Sequence, residues 1–513
     1  MSIRKLILTS MAAGGVLAVV LALFADRPGR RNPGPDRTYQ SDTLEDIDTL
    51  IERQMERLNV PGATLAIVED DKIVHLRGFG QARPGGEAPT PQTPFFIGSL
   101  TKSFTALAVM QLVEDGKVEL DAPVQRYLPW FRIADPEASA QITVRHLLNQ
   151  TSGLPTLSGE IALADFDDRP DATERQARVL STLVFTRPVG SAFEYSNSNY
   201  ILLGLIIEAA SGESYADYVQ KHIFIPLDMS HAYTSQAFAK QNGLAEGHQY
   251  WFAIPFAAPN MPIPHGSLPG GLLISNAEDM ARYLIAHLNG GRYGDVQILS
   301  GTGIEELHRG VAEFRTMGIS VGKYGMGWFD SVFGQTKLLW HTGILPHFFA
   351  YMALLPEQKK GVVLLFNASH HWMSPVLTDF GTGVAALLAG EQPAPSRFGF
   401  IPWALRGQLL IPALQIAGGV ATLRLLRRWR LDPERRPSGG RKWGLHILFP
   451  LIPNLLVTLT LLPVLGKRRG YLMHYMPDYT WIAMACGTFA LVWSFLRTGL
   501  VLRTLRKPHR RDP

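Results

Sequence analysis

Ser99 and Lys102 stand three residues apart in the stretch FFIGSLTKSFTALAVMQLVEDGKVEL, Phe95 to Leu120. A serine hydroxyl is a weak nucleophile at neutral pH and gains strength from a neighbouring base. On a helix beginning near Ser99, positions i and i+3 share a face, so the Lys102 amine can reach the hydroxyl. It can serve as the base once burial has lowered its pKa and removed its proton. A helix N-terminus adds free backbone N–H groups and a positive partial charge, both suited to an oxyanion. Taken alone, the pair also reads as a capping serine followed by a solvated lysine.

Two further stretches give the pair company. FEYSNSNYILLG holds Tyr195, Ser196 and Asn197. A tyrosine in a turn before a helix can offer its phenol to the serine as proton acceptor, provided nearby cations lower its pKa. Asn197 supplies an amide able to hold a substrate carbonyl, or else a helix cap. LLWHTGILPHF holds His341, Thr342 and Gly343 on an expected strand. Gly343 would admit a substrate backbone close to that strand. The Ile344 N–H could then pair with the Ser99 N–H as an oxyanion hole. The bland alternative for His341 is a hydrogen-bonded structural histidine.

The elements that must position these groups are legible in outline. Phe104, Leu107, Ala108 and Leu112 make the helix after Ser99 a central apolar support. TLEDIDTLIERQMERLNV places Leu44, Ile47, Ile51, Met55 and Leu58 on one helical face. GATLAIVEDDKIVHLRGFG reads as a hairpin turning at Asp70-Asp71. TKLLWHTG, HFFAYMALL and KGVVLLFNAS read as three more strands, with helices filling the middle of the chain. Strands at both ends and helices between predict an α+β unit, one antiparallel sheet flanked by helices, over residues 42–390. AEGHQYWFAIPFAAPNMPIPHG, rich in aromatics and proline, is expected to border the cleft.

Ser-x-x-Lys, then Tyr-x-Asn, then a basic residue-x-Gly on a strand, in this order, resembles the serine β-lactamase and penicillin-binding-protein superfamily. The tyrosine in the second motif is similar to the class C and D-aminopeptidase/esterase branch. VRHLLNQTSGLP, PLDMSHAYTS and PGGLLISNAEDMARYL look like the connecting segments of that branch. The resemblance implies a sheet with a helical subdomain, no metal and no cofactor. It implies Ser99 as the acylated nucleophile, with Lys102 and Tyr195 as the proton-handling pair. Asn197, His341, Gly343 and Ile344 would then bind substrate. His341 replaces the lysine that many penicillin-recognising members carry, and it is mostly neutral near pH 7. That weakens the case for a β-lactamase or carboxypeptidase and suits acyl-hydrolysing relatives at least as well.

Charge is divided along the 513 residues. After residue 400 there are 18 Lys+Arg against 4 Asp+Glu, and before it 31 against 40. The basic groups flank apolar spans, near Gly407–Leu426, Leu445–Leu465 and Trp481–Leu496. Each is about long enough to cross ~30 Å of hydrocarbon. This pattern indicates a membrane rather than nucleic acid as the partner. The positive-inside rule puts RLLRRWRLDPERRPSGGRK and RTLRKPHRR in the cytoplasm and the 42–390 unit outside. Residues 1–25, Arg4-Lys5 and an apolar run, read as an export signal or anchor, followed by a linker at 26–41. Residues 391–513 form the membrane tail. The single cysteine, Cys486, excludes a disulfide within the chain.

The sequence thus predicts a multi-pass membrane serine hydrolase acting outside the cell membrane on a small or peptide substrate with an amide or ester bond. The layout is similar to membrane peptidases of the colibactin-maturing type, which remove an N-acyl-D-amino-acid cap from peptide prodrugs. The other readings are a slowly acylated penicillin-binding sensor and, on weaker grounds, a transporter with an accessory domain.

Overall fold

The computed structural model describes residues 44–184, 186–316, 319–437 and 439–506. The expected signal and linker, 1–25 and 26–41, lie outside the described residues. The chain divides into two compact units, one holding residues 44–250 and 254–399, the other 251–253 and 400–506.

In the larger unit α1 (Leu44–Leu58) buries Ile47, Leu50, Ile51, Met55 and Leu58. The hairpin follows as β1 (Gly62–Glu69) and β2 (Lys72–Gly80). Next come α2 (Thr101–Glu114), α3 (Asn197–Ser211) and α4 (Ala277–Leu288). Six strands close the sheet: β3 (Ala312–Thr316), β4 (Ile319–Tyr324), β5 (Phe329–Phe333), β6 (Thr336–Ile344), β7 (Phe349–Leu355) and β8 (Lys360–Phe366). Helix α5 (Ser374–Leu388) ends the unit. The sheet is antiparallel throughout, in the order β2-β1-β8-β7-β6-β5-β4-β3. This is the α+β architecture expected from the sequence, with β3, β4 and β5 added to the strands foreseen.

Helices cover both faces of the sheet. A Cβ on Gly361 of β8 would touch Leu284 of α4, whereas a Cβ on Gly381 of α5 would strike the ring of Tyr351. Tyr351 pairs with Leu364, three residues from Gly361, so the two contacts lie on opposite faces. Strand β1 is therefore buried along nearly its whole length rather than alternately. Helix α2 is buried on almost every side, including Thr101, Lys102 and Ser103. It stands in the middle of the unit, as its apolar composition requires.

The smaller unit contains three helices long and apolar enough to cross a membrane: Ile401–Leu431, Gly444–Leu465 and Pro477–Arg506. They overlap with α6 (Leu410–Leu431), α7 (Gly440–Leu459) and α8 (Pro477–Arg506). The third is longer than Trp481–Leu496 at both ends. Helix α8 packs on both of the others, and the Gln415 amide of α6 donates to the Cys486 carbonyl of α8 at 2.8 Å. Between apolar helices such a bond satisfies a polar group that apolar surroundings cannot.

Candidate active site

Gly98 sits at φ +55°, a left-handed conformation that opens a 3-10 turn, Gly98–Leu100, before α2 begins at Thr101. Ser99 lies in that turn, two residues ahead of the first residue of the helix proper. Lys102 remains on its face, and the Nζ–Oγ distance is 3.0 Å. The amine has two more partners at 2.6 Å, the Asn197 Oδ1 and the Gly270 carbonyl. Lys102 is fully buried, and burial drives its pKa well below the usual lysine value. A neutral amine has two N–H groups and one lone pair. In that form its two N–H groups can serve the two carbonyl acceptors, which would free the lone pair to accept the Ser99 O–H.

Tyr195 occupies the turn before α3, its ring centroid 4.9 Å from Lys102 Nζ. Burial pushes the phenol above its ordinary pKa, while its hydrogen bond with Ser99 pulls the other way. The condition that nearby cations lower this pKa is not met: burial of the phenol outweighs the hydrogen bond with Ser99. Tyr195 therefore keeps its proton at neutral pH. Gln150, a non-glycine residue at φ +59°, holds the turn. Its carbonyl accepts the Glu194 N–H at 2.8 Å and its Oε1 the Ser196 N–H at 2.9 Å. Asn197 opens α3, so one turn and one helix start deliver both residues to Lys102.

His341 is buried on β6. Its Nδ1 lies 2.7 Å from the Thr342 carbonyl and so carries the hydrogen; its Nε2 accepts from the Tyr324 hydroxyl at 3.3 Å. Burial first, then proximity to Lys102, depresses the imidazole pKa to about 3, against the opposing Thr342 carbonyl. It is neutral, with both nitrogens occupied, and its ring centroid is 6.3 Å from that of Tyr195.

Gly343 has a more specific use than admitting substrate. A Cβ there would lie 1.9 Å from the Ile97 carbonyl oxygen, and a Cβ on Gly98 would lie 2.7 Å from the Ile344 nitrogen. The Ser99 turn and β6 thus touch backbone to backbone, which brings Ile344 N beside the Ser99 turn. Pairing with β5 ends at Phe329–Trp340, and His341–Ile344 continue past it along β7. Gly343→Ala is expected to force turn and strand apart. Its kcat should fall by about 10²–10³, the usual effect of losing one oxyanion donor, with folding retained by circular dichroism.

The structure brings Ser99, Lys102, Tyr195 and Asn197 together, with His341, Gly343 and Ile344 on the strand beside them. Sequence reasoning missed Gly270, whose carbonyl anchors the lysine, and Tyr324, which sets the histidine tautomer. A carbonyl has no sequence signature, although the glycine pair in PGGLLIS was a signal of close backbone approach. Tyr200 also lies under Lys102, its centroid 5.5 Å from Nζ. A cleft of about 1110 Å³ adjoins Tyr195, lined among others by Asn149, Arg187, Phe193 and Phe314. The strands of AEGHQYWFAIPFAA, His248–Trp251 and Ile254–Ala257, instead contribute His248 and Pro255 to a separate hollow of about 730 Å³. Among the described residues no three His, Cys, Asp or Glu side chains converge on a metal position.

Residues 47–381 match the Beta-lactamase family model, and the chain belongs to that family. Protein flp of Staphylococcus aureus strain MW2 is 28% identical over 351 residues, 67% of each chain. Two solved structures share the fold and part of the sequence. The octameric penicillin-binding protein homologue from Pyrococcus abyssi is 31% identical with a TM-score of 0.60, covering 69% of this chain and 79% of its own. The D-amino acid amidase from Ochrobactrum anthropi SV3, complexed with L-phenylalanine amide, is 25% identical with a TM-score of 0.56, covering 67% and 97%. The chain is thus a hydrolase of the Beta-lactamase family within the serine β-lactamase and penicillin-binding-protein superfamily.

Proposed function

We propose that the chain is a membrane-anchored serine hydrolase that cleaves an amide or ester through an acyl-enzyme on Ser99, outside the cell membrane. The observation that carries this reading is the buried Lys102 amine, its pKa driven down, 3.0 Å from the Ser99 hydroxyl. Ser99 passes its proton to the Lys102 lone pair as Oγ attacks the carbonyl. The N–H groups of Ser99 and Ile344 receive the oxyanion. Tyr195, still protonated, donates to the departing nitrogen or oxygen as the intermediate collapses, and Lys102 restores that proton. Water then enters by the reverse path and releases the acid. Asn197 commits its carbonyl to Lys102, so its NH₂ is the part left for a substrate carbonyl. The basic stretches at the ends of α6 and α8 support an external catalytic unit.

The neutral His341 favours substrates without a carboxylate at that position. Among relatives, the D-amino acid amidase supports an amide of a D-configured residue, which is also the chemistry of the prodrug-maturing peptidases. The test is turnover of p-nitrophenyl esters and N-acyl-D-amino-acid amides by the detergent-solubilised chain, with intact mass recorded during turnover and after benzylpenicillin. Product release with a transient adduct on wild type and none on Ser99→Ala is expected. A single stable adduct without turnover would mark a sensor instead, and no adduct with any of the three would reject the reading.

A further inference from the structure

The membrane unit contains a charge that none of its described residues neutralises. Arg497 lies in α8, 6% exposed, immediately after the apolar run that ends at Leu496. Its Nη1 donates to the His446 carbonyl of α7 at 2.8 Å, and its Nε to the Thr422 hydroxyl of α6 at 3.3 Å. The first bond has a local cause. Pro450 has no N–H, so the helical partner of the His446 carbonyl is missing and the guanidinium replaces it. Both acceptors are neutral. Among the described residues no carboxylate lies within ion-pair distance of Arg497. A guanidinium taken out of water and bonded only to neutral groups is costly, and such residues within membrane helices usually mark a ligand or ion path.

The surroundings indicate an anion. By connectivity the end of α6, the start of α7 and the end of α8 lie on one side of the bundle. On that side the apolar segments give way to Arg424, Arg427, Arg428, Arg503 and Arg506. Arg497 is at the level of this change, where a headgroup phosphate would meet the acyl region. A guanidinium presents five donors in a planar fork matched to phosphate oxygens, and two of its N–H groups are spent on His446 and Thr422.

We infer that Arg497, with Thr422 and His446 fixing its orientation, forms a phosphate-binding site between the three helices, taking the phosphate of a phospholipid headgroup or a free phosphate. The site rests on the membrane-spanning reading and stands apart from the hydrolase chemistry. The full chain in detergent would be measured by native mass spectrometry with phosphatidylglycerol, phosphatidylethanolamine, diacylglycerol and inorganic phosphate. Wild type should retain phosphatidylglycerol most tightly and diacylglycerol least. Arg497→Gln should weaken phosphatidylglycerol about tenfold, Arg497→Lys less, and Arg503→Gln not at all, with ester turnover unchanged throughout. Displacement of phosphatidylglycerol by millimolar inorganic phosphate would identify free phosphate as a sufficient ligand; lack of displacement would identify the lipid. Equal retention of phosphatidylglycerol and diacylglycerol, or no change in a folded Arg497→Gln, would overturn the site. Should Arg497→Gln fail to fold, the wild-type comparison of the two lipids decides alone. Release of the chain from membranes by carbonate would separately reject the membrane-spanning reading.

Discussion

Lys102→Met is expected to lower kcat/KM by about ten-thousandfold on any substrate the wild type turns over, the upper range for a positioned acid–base group. Methionine fills nearly the same volume, so the loss would not come from an emptied core. The informative partner is Lys102→Arg. Arginine keeps a positive charge and hydrogen-bond donors but does not release its proton in this pH range, so it cannot accept one from Ser99. If Lys102 acts as base, both variants should be silent. If it acts as a fixed cation that stabilises the oxyanion, arginine should retain a sizeable fraction of activity. The wild-type pH profile gives the same answer by another route. Because burial lowers the lysine pKa and raises the Tyr195 pKa, activity should rise through the first and fall through the second. On an uncharged ester, kcat/KM should climb well below pH 10.5 and hold a plateau beyond pH 10. A profile rising only near pH 10.5 would mean that the lysine is charged at neutral pH and the base lies elsewhere.

Ser99, Lys102 and Tyr195 could be picked out because each is a reactive side chain in a short motif, and the motifs occur in order. What the sequence could not display was how protein backbone completes the site. Gly270 contributes a carbonyl, Gln150 a backbone carbonyl and a side-chain oxygen, and Gly343 only the absence of a side chain. Tyr324 and His341 are 17 positions apart, on neighbouring parts of a sheet whose β3–β5 strands were not foreseen. The same gap explains β1, which lacks a polar face because helices cover both sides. Apolar spans were easier to read, since length and hydropathy define them without tertiary context. Their ends were not, because helices continue past the apolar window into the basic flanks.

Acid should unfold the catalytic unit well before its carboxylates are exhausted. His308 and His341 are both held near pKa 3 by burial, with Lys337 and Lys102 lowering them further. In the unfolded chain each would titrate near 6.5. A depressed folded pKa means the native state refuses a proton that the unfolded state accepts. The stability of the neutral form is therefore complete above pH ~6.5 and lost as pH falls toward 3. At pH 5 the loss is about 2 kcal/mol for each histidine. His287 acts in the same direction: its Nδ1 lies 3.0 Å from His308 Nε2, so one nitrogen must stay bare to accept from the other. Buried Asp279 and half-buried Glu208 and Asp379 oppose this, because their raised pKa values favour the folded state as pH falls. Removing one histidine isolates its share. Trp328 sits 5.3 Å from His308 and 5.1 Å from His287, ring to ring, and reports the pair by fluorescence. The urea midpoint of the wild type should fall between pH 7.5 and pH 5, and His308→Gln should reduce that fall measurably. An equal fall in the variant would place the acid sensitivity in other groups.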